Sequence, residues 1–171
     1  LADMLIKMGI TYGSKESIKV CDSIGNALAC NALMASSQLA DEIGEYPKYD
    51  DRVLESEFFD HHYSEPLHAS IECYGLANSQ LLTIAPTGTL STMLGISGGI
   101  EPIFANSYTR MTKSLHGEDV AYKVYTPIVQ QYMEENGITD EADLPPYFVT
   151  ASDLDVKSRI DMQSVWQSHI D

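Results

Sequence analysis

The spacing of apolar residues between Ser14 and Gly44 constrains the fold more than any other feature of this sequence. Apolar side chains recur there at steps of three and four, the period of one face of an α-helix. They are Ile18, Cys21, Ile24, Leu28, Ala32, Ala35 and Leu39. Ser14 is a residue type that caps a helix N-terminus, and Gly44 is one that ends a helix. The pattern predicts one long helix whose apolar face, rich in small residues, packs closely against other elements.

Shorter elements surround this helix. Apolar spacing predicts a helix ended by Gly9, a helix from Pro127 to Gly137, and a last helix entered at residues 152–155. Apolar runs at residues 81–85, 104–111 and 147–151 have the length of strands. Helices mixed with isolated strands predict the α/β class. Both terminal helices lack a boundary signal, so we expect residues 1–171 to be a single segment, truncated at both ends.

Composition and charge limit the classes of function. Hydrophobic residues make up 44% of the 171 residues and charged residues 20%, which predicts a folded globular segment. The net charge of −15 repels phosphate backbones, so we expect no nucleic-acid partner. No apolar run approaches the roughly 18 residues of a membrane helix. The three cysteines, Cys21, Cys30 and Cys73, form no CxxC pair, so we expect free thiols in a cytoplasmic protein.

A polar loop, residues 86–91, lies between two apolar runs. Its residues are Pro86, Thr87, Gly88, Thr89, Leu90 and Ser91. Gly88 permits close approach of a ligand, and the hydroxyls and the free amides of a following helix could bind a phosphate without any lysine. The alternative is a strand-to-helix connector in which Thr and Ser only cap the helix. Spacing alone leaves both interpretations open, and neither a Walker motif nor GxGxxG is present.

The stretch LLTIAPTGTLSTMLGISGGIEPIFANSYTR resembles the catalytic subunit of ribonucleotide reductases, most closely the adenosylcobalamin-dependent class II enzymes. The downstream YFVTASDLDVKSRIDMQSVWQSHID is similar to the family's FVTA segment and MQ-containing helix, and LADMLIKMGITYGS is similar to another family helix. Residues 41–66 are the least similar part. The resemblance implies a helix-rich part of the family's ten-stranded α/β barrel. It also implies that Pro86, Thr87, Gly88, Thr89, Leu90 and Ser91 bind the substrate's phosphates.

The resemblance further implies radical conversion of ribonucleotides to deoxyribonucleotides for DNA replication. In the family, adenosylcobalamin generates a thiyl radical that abstracts the ribose 3′-hydrogen, and a cysteine pair supplies electrons. Neither the family's Asn-x-Cys-x-Glu motif nor its C-terminal cysteine pair is present. We therefore assign no catalytic residue, and expect this chain to be inactive and free of cofactor without the remainder of the reductase. The oligomeric state stays open.

The sequence leaves two alternatives open. One is a class I large-subunit segment that uses a separate radical-generating subunit. The other is a noncatalytic helical interaction domain in which the loop only caps a helix.

A group of histidines and carboxylates follows the long helix. Its members are Asp60, His61, His62, Glu65 and His68, which are suitable ligand types for a metal. Adjacent histidines on a regular helix do not face one point, so we expect a surface polar cluster and no metal site.

Overall fold

The computed structural model describes residues 1–112 and 120–171, and seven α-helices and two strands lie in those ranges. The helices are α1 Ala2–Lys7, α2 Lys15–Ile43, α3 Glu57–His61, α4 Glu65–Tyr74, α5 Gly88–Leu94, α6 Pro127–Asn136 and α7 Val156–Gln167. The strands are β1 Ser107–Thr112 and β2 Val120–Tyr125, and short 3₁₀ helices cover Asp51–Glu55 and Glu141–Asp143. Among the described residues, no helix is both long and apolar enough to cross a membrane.

The two strands pair antiparallel, with Ser107 opposite Tyr125 and Thr112 opposite Val120. A helix-rich segment with a small sheet agrees with the predicted α/β class. The strand β1 lies at the end of the predicted run 104–111, whereas the mostly exposed strand β2 was not predicted.

The strand predictions at residues 81–85 and 147–151 are wrong. No strand partner reaches residues 81–85 within the described ranges, and the backbone amides of Leu81 and Leu82 donate instead to the carboxylate of Asp171, at 2.7 and 2.9 Å. In the second run only Thr150 forms a bridge, parallel to Ile103. An apolar run of strand length becomes a strand only where a neighbouring backbone completes its hydrogen bonds.

The chain forms two compact units, each with its own core. The first unit comprises residues 1–17 and 85–159, and the second comprises residues 18–84 and 160–171. The core of the first unit consists of Ala2, Ile6, Ile103, Ile128, Val129, Met133 and Phe148. The core of the second unit consists of Leu33, Phe59, Leu67, Ile71 and Leu76.

The long helix has the predicted ends but buries a different face. Ser14 Oγ accepts the N–H of Ser17 at 3.1 Å, and Gly44 follows the helix with φ of 87°. The buried line is Ser17, Cys21, Gly25, Ala29, Leu33, Ser37 and Ala40. Leu28 and Leu39, assigned to the apolar face from the sequence, are exposed. The small residues form the buried line because they let neighbouring side chains approach the helix backbone.

The carboxylate of Asp155 makes the start of α7 sensitive to acid. Its Oδ1 accepts the backbone N–H of Ser158 at 2.7 Å, and this hydrogen bond lowers the pKa of Asp155. A lowered pKa contributes stability above the unfolded-state value of about 3.9, and the contribution is lost as the pH falls through the folded-state pKa. We expect Asp155→Asn, which keeps a capping oxygen, to unfold with a weaker pH dependence below about pH 4. Urea titrations followed by circular dichroism measure this, and an unchanged pH dependence contradicts it.

Candidate functional site

The polar loop enters α5 through a strained residue. Thr87 is the N-cap of α5 with φ of 45° and ψ of 21°, the left-handed region. It is the only non-glycine residue with positive φ in residues 1–112 and 120–171. A β-branched residue in this region costs of order 1–3 kcal/mol and persists only where surrounding contacts hold it. Such strain is concentrated at functional sites, which directs attention to this turn.

Hydrogen bonds within the first unit hold the turn. Thr87 Oγ1 accepts the backbone N–H of Gly99 at 3.0 Å, and the Thr87 carbonyl accepts the N–H of Ser91 at 2.8 Å. The hydroxyl of Ser91 is buried and donates to the Gly88 carbonyl at 2.9 Å. Thr87 and Ser91 therefore shape the loop, but the Thr87 side chain makes no capping hydrogen bond to α5, so their role differs from the helix cap that the sequence left open.

The remaining loop residues face outward. Pro86, Gly88, Thr89 and Leu90 are exposed. The amides of Gly88, Thr89 and Leu90 belong to the first turn of α5, where no preceding helical carbonyl is available to accept them. Three amides and the Thr89 hydroxyl are therefore the donors that this loop offers to a ligand.

A cavity of about 670 Å³ adjoins the loop within the first unit. Pro86, Gly88 and Ser91 line it, as do Asp3 and Glu101. Asp3 Oδ2 accepts the N–H of Ser97 at 3.2 Å, while its Oδ1 is buried with no hydrogen-bond partner in the described part of the chain. The cavity has the volume of a small-molecule site and offers both donors and acceptors.

We expect Thr87→Val to destabilise the fold by about 1–3 kcal/mol, because valine keeps the branched shape but leaves the Gly99 amide without its acceptor. The free energy of unfolding in urea measures this. The exposed Thr89→Val is the matched control, expected within about 0.5 kcal/mol of the wild type. Equal stability of both variants would show that the Thr87 hydroxyl does not hold the turn.

Two of the three cysteines, Cys21 and Cys30, lack the surroundings of reactive thiols. Cys21 is buried and Cys30 is half-buried, and burial raises the pKa of both thiols. A raised pKa disfavours the thiolate, which is the nucleophilic form. The interpretation of Cys21 and Cys30 as inert thiols agrees with this burial.

The structure groups the histidines differently from the sequence interpretation. His61 and His62 lie beside His169, whereas His68 lies within 3.5 Å of Glu72 on α4. The regular-helix objection does not apply, because α3 ends at His61 and His62 has φ of −105° and ψ of 18°. Burial lowers the pKa of His62.

Sequence reasoning missed three residues around His62, because they are distant in the chain. They are His169, Asp22, which His169 contacts, and Gly25, which packs against the His169 ring. The sequence signal that could have indicated this close approach of His169 to α2 is Gly25, a glycine within a helix, three residues after Asp22.

Comparisons with known proteins cover the whole chain. Residues 1–171 match the family described as "Ribonucleotide reductase, barrel domain". A vitamin B12-dependent ribonucleoside-diphosphate reductase from Thermoplasma acidophilum is 29% identical over 188 residues, covering 99% of this chain and 22% of that protein. The corresponding protein of Mycobacterium tuberculosis is 27% identical over 187 residues, covering 100% of this chain and 24% of that protein. A ribonucleoside-diphosphate reductase subunit alpha from Chlamydia pneumoniae is 30% identical over 138 residues, covering 68% of this chain and 13% of that protein. The chain therefore spans less than a quarter of the length of these relatives.

Proposed function

The chain belongs to the ribonucleotide reductase barrel-domain family, and on that premise we propose that residues 86–91 bind the phosphate groups of a ribonucleotide substrate. The observation that carries the proposal is the strained turn at Thr87, which begins α5 with the exposed residues Gly88, Thr89 and Leu90, whose amides have no preceding helical carbonyl as acceptor. Backbone amides at a helix start bind anions without a cationic side chain. Such local capture suits a chain with a net charge of −15.

The charges of the adjoining cavity support an orientation for the ligand. Asp3 and Glu101 also line the cavity, and carboxylates accept hydrogen bonds and repel phosphate, so these two residues favour the hydroxyl groups of a ribose beside them. The loop amides donate hydrogen bonds and favour the phosphates. We therefore propose that the phosphates bind at the loop and the sugar extends towards the two carboxylates.

We propose that this chain contributes substrate binding to a reductase that makes deoxyribonucleotides by radical chemistry. In this proposal, residues 1–171 form one segment of the catalytic barrel of that reductase, and the remainder of the reductase is the partner of this segment. The chain lacks the family's Asn-x-Cys-x-Glu motif, and burial raises the pKa of Cys21 and Cys30. We expect no turnover by this chain alone, since radical transfer and disulfide chemistry require cysteines in other surroundings.

We assign the reductase to the adenosylcobalamin-dependent class, because the relatives from Thermoplasma acidophilum and Mycobacterium tuberculosis match nearly the whole chain at 29% and 27% identity and carry that dependence in their names. A subunit alpha from Helicobacter pylori also matches 99% of the chain, at the lower identity of 24%. That cofactor supplies the initiating radical when bound. The cavity of about 670 Å³ beside the loop is too small for a corrin ring with its adenosyl ligand, so this cavity is not the site of that cofactor. The similarity to a subunit alpha from Chlamydia pneumoniae favours the class I alternative. Activity of the complete reductase with and without adenosylcobalamin separates the two.

Isothermal titration of the chain with a ribonucleoside diphosphate, and with the same nucleoside lacking phosphate, tests the binding role. We expect the diphosphate to bind at least about tenfold more tightly, since one hydrogen bond to a charged group contributes about 1.5–3 kcal/mol. Thr89→Val removes the exposed hydroxyl and should lower the affinity for the diphosphate about tenfold. Thr109→Val, at an exposed position of β1, is the matched control and should bind like the wild type. Equal affinity for nucleoside and diphosphate, or no binding by the folded chain, refutes the proposal.

A further inference from the structure

Three imidazole rings converge in the second unit. His61 is the last residue of α3, His62 follows it, and His169 follows α7. One ring nitrogen from each lies within 4.8 Å of the others. His62 and His169 are buried, at 2% and 1% exposure, while His61 reaches solvent.

The outer nitrogens of the two buried rings are already engaged. His62 Nδ1 lies 2.7 Å from the Phe58 carbonyl, and His169 Nε2 lies 3.0 Å from Asp22 Oδ1. A carbonyl and a carboxylate only accept hydrogen bonds, so both of these nitrogens carry protons. In neutral imidazoles, His62 Nε2 and His169 Nδ1 then both present lone pairs, and they face each other at 2.9 Å. Two lone pairs at this distance repel, so a cation belongs between them.

This arrangement matches the surroundings of histidine ligands in metal sites. Such a histidine donates its outer N–H to a carboxylate or a backbone carbonyl, which fixes the tautomer and aims the other nitrogen at the metal. Here Phe58 and Asp22 take those outer positions. A shared proton needs only two nitrogens, whereas the third imidazole at the same point is what a metal ion requires.

We propose that His61, His62 and His169 bind a divalent transition metal ion, with Zn²⁺ as the best fit. Zinc takes three histidines and one water in tetrahedral geometry at about 2.0–2.1 Å, and the exposed side of His61 leaves room for the water. Tetrahedral ligands at that length lie about 3.3 Å apart, so His62 Nε2 and His169 Nδ1 must separate by a few tenths of an ångström from 2.9 Å. The His61 nitrogen lies within 4.8 Å of the other two and must move closer by up to about 1.5 Å, which the exposed His61 side chain can do by rotating. The metal would tie the end of α3 to the segment after α7.

Titration of chelator-treated chain with ZnCl₂, followed by calorimetry and by the visible spectrum of Co²⁺ as a substitute ion, tests this site. We expect one Zn²⁺ per chain and a tetrahedral Co²⁺ spectrum. His61→Ala should lower the affinity at least about tenfold, and Asp22→Asn should lower it about 10–100-fold by loosening His169. His68→Ala, a histidine outside the cluster, should bind Zn²⁺ like the wild type.

His61→Ala is the decisive variant, because His61 is exposed and its replacement removes no buried side chain. Circular dichroism verifies that the variant is folded. The site is supported if the wild type binds one equivalent of Zn²⁺, His61→Ala loses this binding and His68→Ala retains it. If Zn²⁺ shows no saturable binding, the proposal is overturned, and a proton shared between the buried rings of His62 and His169 then accounts for their contact. Equal affinity of the wild type and His61→Ala also overturns it, as does a loss confined to His68→Ala.

Discussion

Leu33→Ala is expected to lower the free energy of unfolding by about 2–5 kcal/mol, the range for deleting a buried leucine side chain. Leu33 is 1% exposed and belongs to the core of the second unit, together with side chains from α3 and α4. Removing it takes apolar surface out of contact and leaves a cavity that the surrounding helices only partly fill. Urea unfolding of the chain, followed by circular dichroism, measures the loss.

Leu28→Ala is the matched control for this prediction. It makes the same chemical change on the same helix, but Leu28 is 51% exposed. We expect a change within about 0.5 kcal/mol. The pair tests which face of α2 is buried, since spacing alone assigned Leu28 to the apolar face. A larger loss for Leu28→Ala than for Leu33→Ala would contradict the observed orientation of the helix.

Gly25→Ala is expected to destabilise the chain by about 1–3 kcal/mol, although alanine is the better helix former by about 1 kcal/mol. A Cβ at position 25 would lie 2.3 Å from His169 Cδ2 and 2.8 Å from its Cγ. The His169 ring has little freedom to move, because it is buried and contacts both His62 and Asp22. The clash therefore outweighs the gain in helix propensity.

The measurement for Gly25→Ala is urea unfolding in the presence of a chelator, so that any bound metal does not contribute. Ser23→Ala, exposed on the same helix, is the control and should change stability by less than about 0.5 kcal/mol. If Gly25→Ala proved more stable than the wild type, the close approach of His169 to the helix backbone would be refuted.

Local signals in the sequence predicted the helix boundaries well. Ser14 and Gly44 bracket α2, and α6 begins at Pro127 and ends before Gly137, whose φ is 66°. These predictions succeed because capping and backbone preferences depend on neighbouring residues. The prediction of a strand at residues 81–85 failed because a strand requires a partner strand, which the local sequence does not specify.

The candidate sites were predictable to different degrees. The loop at residues 86–91 was found by its composition and by its resemblance to a family, but the left-handed Thr87 carries no local signal. The convergence of His169 on His61 and His62 depends on how the chain folds, because His62 and His169 are 107 positions apart in the sequence. The buried face of α2 was misassigned because an analysis of hydrophobic spacing gives most weight to large apolar side chains. The buried face instead includes Gly25, where the close approach of His169 requires that no side chain be present.

The central claim is that the amides of the loop bind phosphate, and amide NMR observes those groups directly. The chain is titrated with a ribonucleoside diphosphate, and with inorganic phosphate, while the shifts of residues 87–91 are followed. The amides of Gly88, Thr89 and Leu90 should shift most. The Ser91 amide, bonded to the Thr87 carbonyl at 2.8 Å, should shift less.

Gly88→Pro is the control in the same titration. Proline fits the first position of a helix but removes one N–H, and it disfavours the left-handed conformation of the preceding Thr87. The account predicts saturable shifts confined to the loop and lost in Gly88→Pro. Unchanged loop amides in a folded sample, or equal shifts in Gly88→Pro, would contradict it.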